Sequence, residues 1–143
     1  MRYLGIDYGL KRVGLALTDS AATMATPLAT INRTTRQALF SALLEYIHHY
    51  RIEAVVIGLP YDIEGQETLT TRQARNFGAS LGRRIPQPIH FVDEVLTSQQ
   101  AAAILHQAKL PSRKHKAVLD QQAAVTILES FLANTPNPPR YSA

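Results

Sequence analysis

Residues 2–18, RYLGIDYGLKRVGLALT, contain the pattern that decides the fold. Two apolar runs rich in strand-forming residues, Arg2 to Tyr8 and Val13 to Thr18, are separated by a short segment that contains Gly9. This arrangement predicts two strands joined by a tight turn, which is a hairpin. A further candidate strand around Pro27 to Asn32 extends the hairpin to a three-stranded antiparallel meander.

Helical and strand patterns alternate through the rest of the chain. Thr34 or Thr35 can cap a helix with one apolar stripe, formed by Leu39, Leu43, Tyr46, Ile47 and Tyr50. The run EAVVIGL, Glu53 to Leu59, predicts a strand that is buried on both faces and ends at Pro60.

The second half of the chain continues this alternation. The patterns predict a helix from Leu69 to Arg84, a strand from Ile89 to Asp93 and a helix from Thr97 to Gln107. A loop with Pro111 and the basic residues after it precedes a last helix from Lys116 to Leu132. The whole pattern predicts the α/β class, with a mixed sheet and helices on its faces.

Composition limits the possible functions. The 143 residues suit one domain, and 45% hydrophobic and 18% charged residues are typical of a globular protein. The absence of cysteine excludes disulfides, thiolate metal sites and a cysteine nucleophile. The first residues lack the apolar stretch of a signal peptide, and no run is long enough to span a bilayer. We therefore expect a cytoplasmic protein without a membrane partner.

The charge of the chain favours polyanionic partners. Its formal net charge is +4 and its pI is about 9.6. The basic residues cluster at 11–12, at Arg72 and Arg75, at 83–84 and at 113–116. Ordinary solvated surface is the alternative interpretation of each cluster.

Asp7 stands near the end of a predicted core strand, between Gly5 and Gly9. Aspartate seldom occupies a buried strand without a partner. It could form an Asx turn with the hairpin backbone. The two glycines favour a functional site instead, because their missing side chains let a phosphate or a metal approach the backbone.

Two further acidic positions can join Asp7. Asp93 and Glu94 end another strand, and only one of the two can point to a shared site because successive strand residues face opposite sides. Asp120 lies near the start of the last helix and continues its inward stripe. In the alternative interpretation, Asp93 and Glu94 are surface turn residues and Asp120 is a partner of the helix dipole.

Three carboxylates that converge at the carboxyl end of a sheet would suit Mg²⁺ or Mn²⁺, which prefer oxygen ligands. With two ions roughly 3.5 to 4 Å apart, one activates water and the other stabilises the leaving oxygen of a phosphodiester. Basic clusters would then hold the nucleic-acid backbone.

Several blocks of the chain together resemble one known family. They are GIDYGLKRVGLALTD (5–19), VIGLP (56–60), the Gly65 loop, FVDEVLTSQQA (91–101) and LDQQAAVTILESFL (119–132). They occur in the order found in the YqgF/RuvX family, which is described as pre-16S rRNA nucleases and was earlier described as Holliday-junction resolvases. The resemblance covers the chain to about Leu132.

The resemblance implies an RNase H-like fold with five strands in a mixed sheet, formed by residues 1–133, with a flexible tail at 134–143. It also implies that Asp7, Glu94 and Asp120 are the catalytic residues and the ligands of the metal, Mg²⁺ or Mn²⁺. Glu94 is therefore preferred to Asp93. The implied function is maturation of the 5′ end of pre-16S rRNA in the bacterial cytoplasm, with pre-rRNA, branched DNA or ribosomal particles as partners.

One position departs from the family pattern. The family usually has a basic residue after the Asp-Glu pair, where this chain has Val95. If that residue normally contacts phosphate, other basic residues must do so here. The candidates for nucleic-acid binding are Lys11, Arg12, Arg72, Arg75 and Lys114.

Two alternatives to a nuclease remain open. The GIDYG segment followed by Gly14 also resembles the first phosphate loop of sugar kinases, Hsp70 and actin, but no second phosphate loop is visible. The chain could also bind RNA in ribosome assembly without cutting it. The five histidines lack the spacing of a zinc motif, and no serine lies in the glycine-rich elbow of a hydrolase.

Overall fold

The computed structural model describes residues 1–95 and 113–134. The predicted helix at 97–107, the loop at Pro111 and the tail after Asn134 lie outside the described residues. The strands are β1 (Tyr3–Tyr8), β2 (Arg12–Thr18), β3 (Ala25–Asn32), β4 (Ala54–Tyr61) and β5 (Ile89–Val95). The helices are α1 (Arg36–His49), α2 (Leu69–Gly82) and α3 (Arg113–Asn134).

The five strands form one mixed sheet in the order β3-β2-β1-β4-β5. The strands β1, β2 and β3 form the predicted antiparallel meander, whereas β4 and β5 continue the sheet in parallel with β1. The carboxyl ends of β1, β4 and β5 consequently meet at one edge of the sheet. The predicted α/β class and five-stranded mixed sheet are confirmed.

Helices cover both faces of the sheet. On one face α1 and α2 bury the larger core, which includes Leu4, Ile6, Leu43, Ile57 and Leu81. On the other face α3 packs through Ala124, Ile127 and Leu128. The hydroxyl of Thr35 caps α1 by accepting a hydrogen bond from the Ala38 N–H, and a reciprocal Thr68–Thr71 pair caps α2. Within the described residues, no helix combines the length and apolar character needed to cross a membrane.

Several predicted boundaries were wrong. The strand β4 continues through Pro60 to Tyr61, since β1 pairs with β4 only as far as Ile57 and a proline is tolerated where the strand has one neighbour. The last helix begins at Arg113, not near Lys116, so the basic segment that was predicted as a loop is helical. That helix also extends to Asn134, the first residue of the predicted tail.

The turn between β2 and β3 leads to a testable pH effect. The Asp19 carboxylate accepts hydrogen bonds from the Thr23 hydroxyl and from the backbone N–H groups of Thr23 and Met24, which hold its pKa below its usual range. A lowered carboxyl pKa stabilises the fold above the unfolded value and stops doing so as pH falls through the folded value. Asp19→Asn should therefore lower the melting temperature slightly at pH 7, and thermal unfolding from pH 7 to pH 2 should show the difference disappearing.

Candidate active site

Asp7 lies on the face of the sheet that α3 covers. Side chains alternate along β1, so Leu4 and Ile6 enter the core beneath α1 and α2, whereas Tyr3 and Gly5 meet α3. Asp7 continues the second series and pairs across the hairpin with Gly14. It therefore stands at the carboxyl edge of the sheet, beside the helix.

Three glycines let α3 approach this face closely. A Cβ added to Gly14 would lie 2.0 Å from the backbone oxygen of Asp120, and one added to Gly5 would lie 2.5 Å from Cγ of Leu128. A Cβ on Gly58 would lie 2.6 Å from Cδ1 of Ile127. The interpretation of Gly5 as an opening for phosphate or metal was wrong, since α3 fills that space. Gly9 is needed for the tight β1–β2 turn, because a Cβ there would clash with the Arg12 carbonyl.

Asp120 reaches the site because α3 passes directly over Gly14. The helix begins at Arg113, so Asp120 lies about two turns inside it and does not act as a partner of the helix dipole at the N-terminus. Its Oδ2 atom accepts a hydrogen bond from Nε of Arg12 at 2.6 Å. The two side chains are 20% and 28% exposed, respectively, so this ion pair is partly buried.

Glu94, and not Asp93, is on the same face as Asp7. Its Cγ lies 3.7 Å from the position of a Cβ on Gly58, on the side covered by α3. Phe91, which alternates with it along β5, contacts Gly78 of α2 on the opposite side, and Asp93 shares that side by strand alternation. Burial raises the pKa of Glu94, and a hydrogen bond with Ser130 partly offsets this.

The three acids interact electrostatically. The pKa of Asp7 is raised to about 6, mainly by burial and then by the negative charges of Asp120 and Glu94, in that order of importance. A carboxyl group with such a pKa lies in a cluster whose charge is not fully compensated. The geometry thus brings together side chains from β1, β5 and α3 that are far apart in the sequence.

The donor chemistry of this cluster fits a divalent cation. Carboxylate oxygens are the ligands that Mg²⁺ and Mn²⁺ prefer, and Oε1 of Glu94 is buried without a hydrogen-bond partner in the described part of the chain. The geometry does not yet form a complete metal site. Within residues 1–95 and 113–134, no group of three such side chains is close enough to hold one ion. Arg12 also occupies one oxygen of Asp120.

The predicted nucleic-acid-binding residues are distributed unevenly. Lys11 is exposed in the β1–β2 turn and Arg72 is exposed on α2, both available to a ligand. Arg12 and Arg75 are engaged instead, Arg12 with Asp120 and Arg75 with Glu67. Lys114 lies in the first turn of α3, and its side chain, like that of Val95, is outside the described residues.

Arg33 is a basic residue near this edge that the sequence pattern did not single out. Its guanidinium stacks over the Tyr8 ring at 4.6 Å, and Nη1 donates to the carbonyls of Gly9 and Leu10. It therefore holds the β1–β2 turn next to Asp7. The cluster of Arg33 and Arg36 around the start of α1 is the sequence signal that could have indicated it.

Comparison with known proteins agrees with this architecture. The model of the family "RuvX: Holliday junction resolvase" matches residues 1–134. A "Putative pre-16S rRNA nuclease" of Maridesulfovibrio salexigens is 53% identical over 133 residues, covering 93% of this chain and 98% of the relative. A relative of the same name from Oleidesulfovibrio alaskensis is 52% identical, covering 92% of each chain.

A solved structure shows the same fold at greater sequence distance. It is Thermus thermophilus RuvC in complex with a Holliday junction substrate, with a TM-score of 0.54 and 16% identity, covering 94% of this chain and 98% of that one. Fold and relatives together define the class as an RNase H-like nuclease. More particularly, the chain belongs to the RuvX family, as its resemblance to that family predicted.

Proposed function

We propose that the chain hydrolyses phosphodiester bonds with a divalent cation, Mg²⁺ or Mn²⁺, held by Asp7, Glu94 and Asp120. The observation that carries the proposal is the convergence of these acids on one edge of the sheet, where Asp120 and Glu94 help raise the pKa of Asp7. Two clustered ions, if both bind, share the same carboxylates.

Each side chain has a separate task in this proposal. Asp7 lies between the other two acids and is the central ligand. Glu94 offers the buried oxygen that has no hydrogen-bond partner among the described residues. Arg12 binds Oδ2 of Asp120, so Asp120 must either break this ion pair or coordinate the cation through its other oxygen. One or two carboxylates suffice for Mg²⁺, because that ion keeps several of its waters.

The chemistry of the reaction follows from charge. A bound cation would polarise the scissile phosphate and make a neighbouring water more acidic. Arg12, at the start of β2, stands beside the acids and would neutralise negative charge where the phosphate approaches. Lys11 and Arg72, which are exposed near the same edge, would hold the flanking backbone.

The substrate we propose is the precursor of 16S ribosomal RNA, cut during maturation of its 5′ end in the cytoplasm. This substrate is supported by relatives that match nearly all of this chain and bear the name "Putative pre-16S rRNA nuclease". The chain would bind this precursor either free or within a ribosomal particle. Resolution of four-way DNA junctions is the second candidate, since the family description names it and a protein of the same fold binds such a junction.

The test is a cleavage assay on three substrates, with Mg²⁺, with Mn²⁺ and with chelator. The substrates are a pre-16S fragment, unstructured single-stranded RNA and a four-way DNA junction. We expect metal-dependent cuts in the rRNA precursor by the wild type and none by Asp7→Asn. Equal activity of both proteins would refute the proposed site, and exclusive junction cleavage would favour the second candidate. Binding of RNA without any cleavage would make the chain an assembly factor.

A further inference from the structure

A groove runs between α1 and α2 on the face of the sheet opposite the three acids. It consists of two adjoining hollows of about 480 and 630 Å³ that share Arg36 and Phe40. Its main side chains are Tyr8, Arg33, Arg36, Phe40, Phe77 and Arg84. We call it the α1–α2 groove. None of the acidic ligands proposed above lines it.

The first end of the groove adjoins the candidate active site. Tyr8 follows Asp7 in β1 and points to the opposite face, where its ring stacks on Phe77 with centroids 4.3 Å apart. Arg33 lies over the other side of the Tyr8 ring, anchored by two backbone carbonyls at 2.9 and 3.1 Å. The result is a rigid stack that ends in a guanidinium plane, a surface on which an unpaired base can stack.

The second end of the groove is strongly basic. Arg36 and Arg84 lie over the Phe40 ring at 5.4 and 4.1 Å. Both are also tied to Ser80, Arg36 through the hydroxyl and Arg84 through the backbone carbonyl, and Arg83 donates to the same hydroxyl. Three guanidinium groups therefore converge around one serine and one aromatic ring.

The arginines of this groove differ from Arg12 and Arg75 in their charge balance. Arg12 and Arg75 each have a carboxylate partner. In the described ranges, Arg33, Arg36, Arg83 and Arg84 form no ion pair. Positive charges held together without a carboxylate favour an external anion, and guanidinium groups match phosphate geometry well.

We propose that the α1–α2 groove binds a single-stranded segment of nucleic acid that flanks the scissile phosphate. Phosphates contact Arg36 and Arg84, and one unpaired base stacks on Arg33. A duplex fits poorly, because its bases already stack on one another and cannot occupy a hollow beside Arg33. The inference deepens the proposed function, since it names the kind of strand that the same site cuts.

The test measures binding separately from cleavage. Fluorescence anisotropy would follow a labelled 12-nucleotide single-stranded RNA and the same sequence as a duplex, in chelator, with Asp7→Asn as the parent protein. The variants are Arg36→Gln with Arg84→Gln, and Arg33→Lys, which keeps the charge but loses the planar stacking group. Arg51→Gln is the control, because Arg51 is exposed at the opposite end of α1. Thermal unfolding verifies that all variants are folded.

We expect the Arg36/Arg84 double variant to bind single-stranded RNA about tenfold more weakly, and the slope of log K against log salt to fall by about 0.7 for each lost contact. Arg33→Lys should weaken binding with no change in slope, and Arg51→Gln should match the parent. Affinities equal to that of Arg51→Gln in all variants would overturn the inference, as would equal losses on duplex. Loss of RNA binding in a chain that never cleaves would refute the nuclease proposal and retain the groove.

Discussion

Replacing Asp7 with asparagine should reduce metal-dependent cleavage by roughly a thousandfold or more, because the central ligand of the proposed cation is lost. Asparagine has nearly the same shape, so the position of α3 over Gly14 should not change. Single-turnover cleavage of the rRNA precursor measures the effect. Asp93→Asn is the matched control, since it removes a neighbouring acid that faces the other side of the sheet and should retain wild-type rates.

Asp7→Asn should also stabilise the metal-free protein. The pKa of Asp7 is raised from 3.8 to about 6, so the folded chain binds more protons than the unfolded chain between these values. Stability from the protonated group is present below pH 3.8 and is lost as pH rises through 6. In chelator, Asp7→Asn should therefore match the wild type near pH 3.5 and melt several degrees higher at pH 7.

Two results would contradict this account of Asp7. An unchanged melting temperature at pH 7 would mean that the carboxylate is not destabilised by burial and by its acidic neighbours. Stabilisation by Mg²⁺ that is equal in the wild type and in Asp7→Asn would place the ion elsewhere, because a ligand stabilises only the folded chain that binds it.

Gly14→Ala should have the largest effect on the fold. The added Cβ would lie 2.0 Å from the backbone oxygen of Asp120 and 2.4 Å from its carbonyl carbon, and backbone cannot yield as a flexible side chain can. We expect a loss of about 3 kcal/mol or more in the free energy of unfolding. Displacement of Asp120 by about 1 Å should also reduce cleavage by about a hundredfold. Urea unfolding and the cleavage assay measure the two effects.

Gly82→Ala provides the control for this prediction. A Cβ at Gly82 would meet only Cδ1 of Ile89, at 3.5 Å, which is an ordinary contact. Alanine is also the better helix former at the end of α2. This variant should be as stable as the wild type or slightly more stable. If Gly14→Ala behaved in the same way, the close passage of α3 over β2 would be wrong.

The two glycine predictions illustrate what a pattern along the chain could and could not reveal. Runs such as Val13 to Thr18 predicted strands because the whole pattern lies within a few consecutive residues. The partner of Gly14 is more than a hundred residues away, at Asp120, and no periodicity indicates that a helix backbone will lie there. Gly5 was accordingly assigned to ligand access, although packing against α3 explains it.

The sequence by itself determined the strands of the meander, the alternation that follows it and the family to which the chain belongs, because these depend on local residue patterns and on motifs in a fixed order. Tertiary structure decided which faces those patterns present. It placed Glu94 on the side of Asp7 and Asp93 on the other, and it moved Asp120 well inside α3. It also assembled the α1–α2 groove from distant segments, since only packing of α1 beside α2 brings Arg36 and Arg84 to the same aromatic ring.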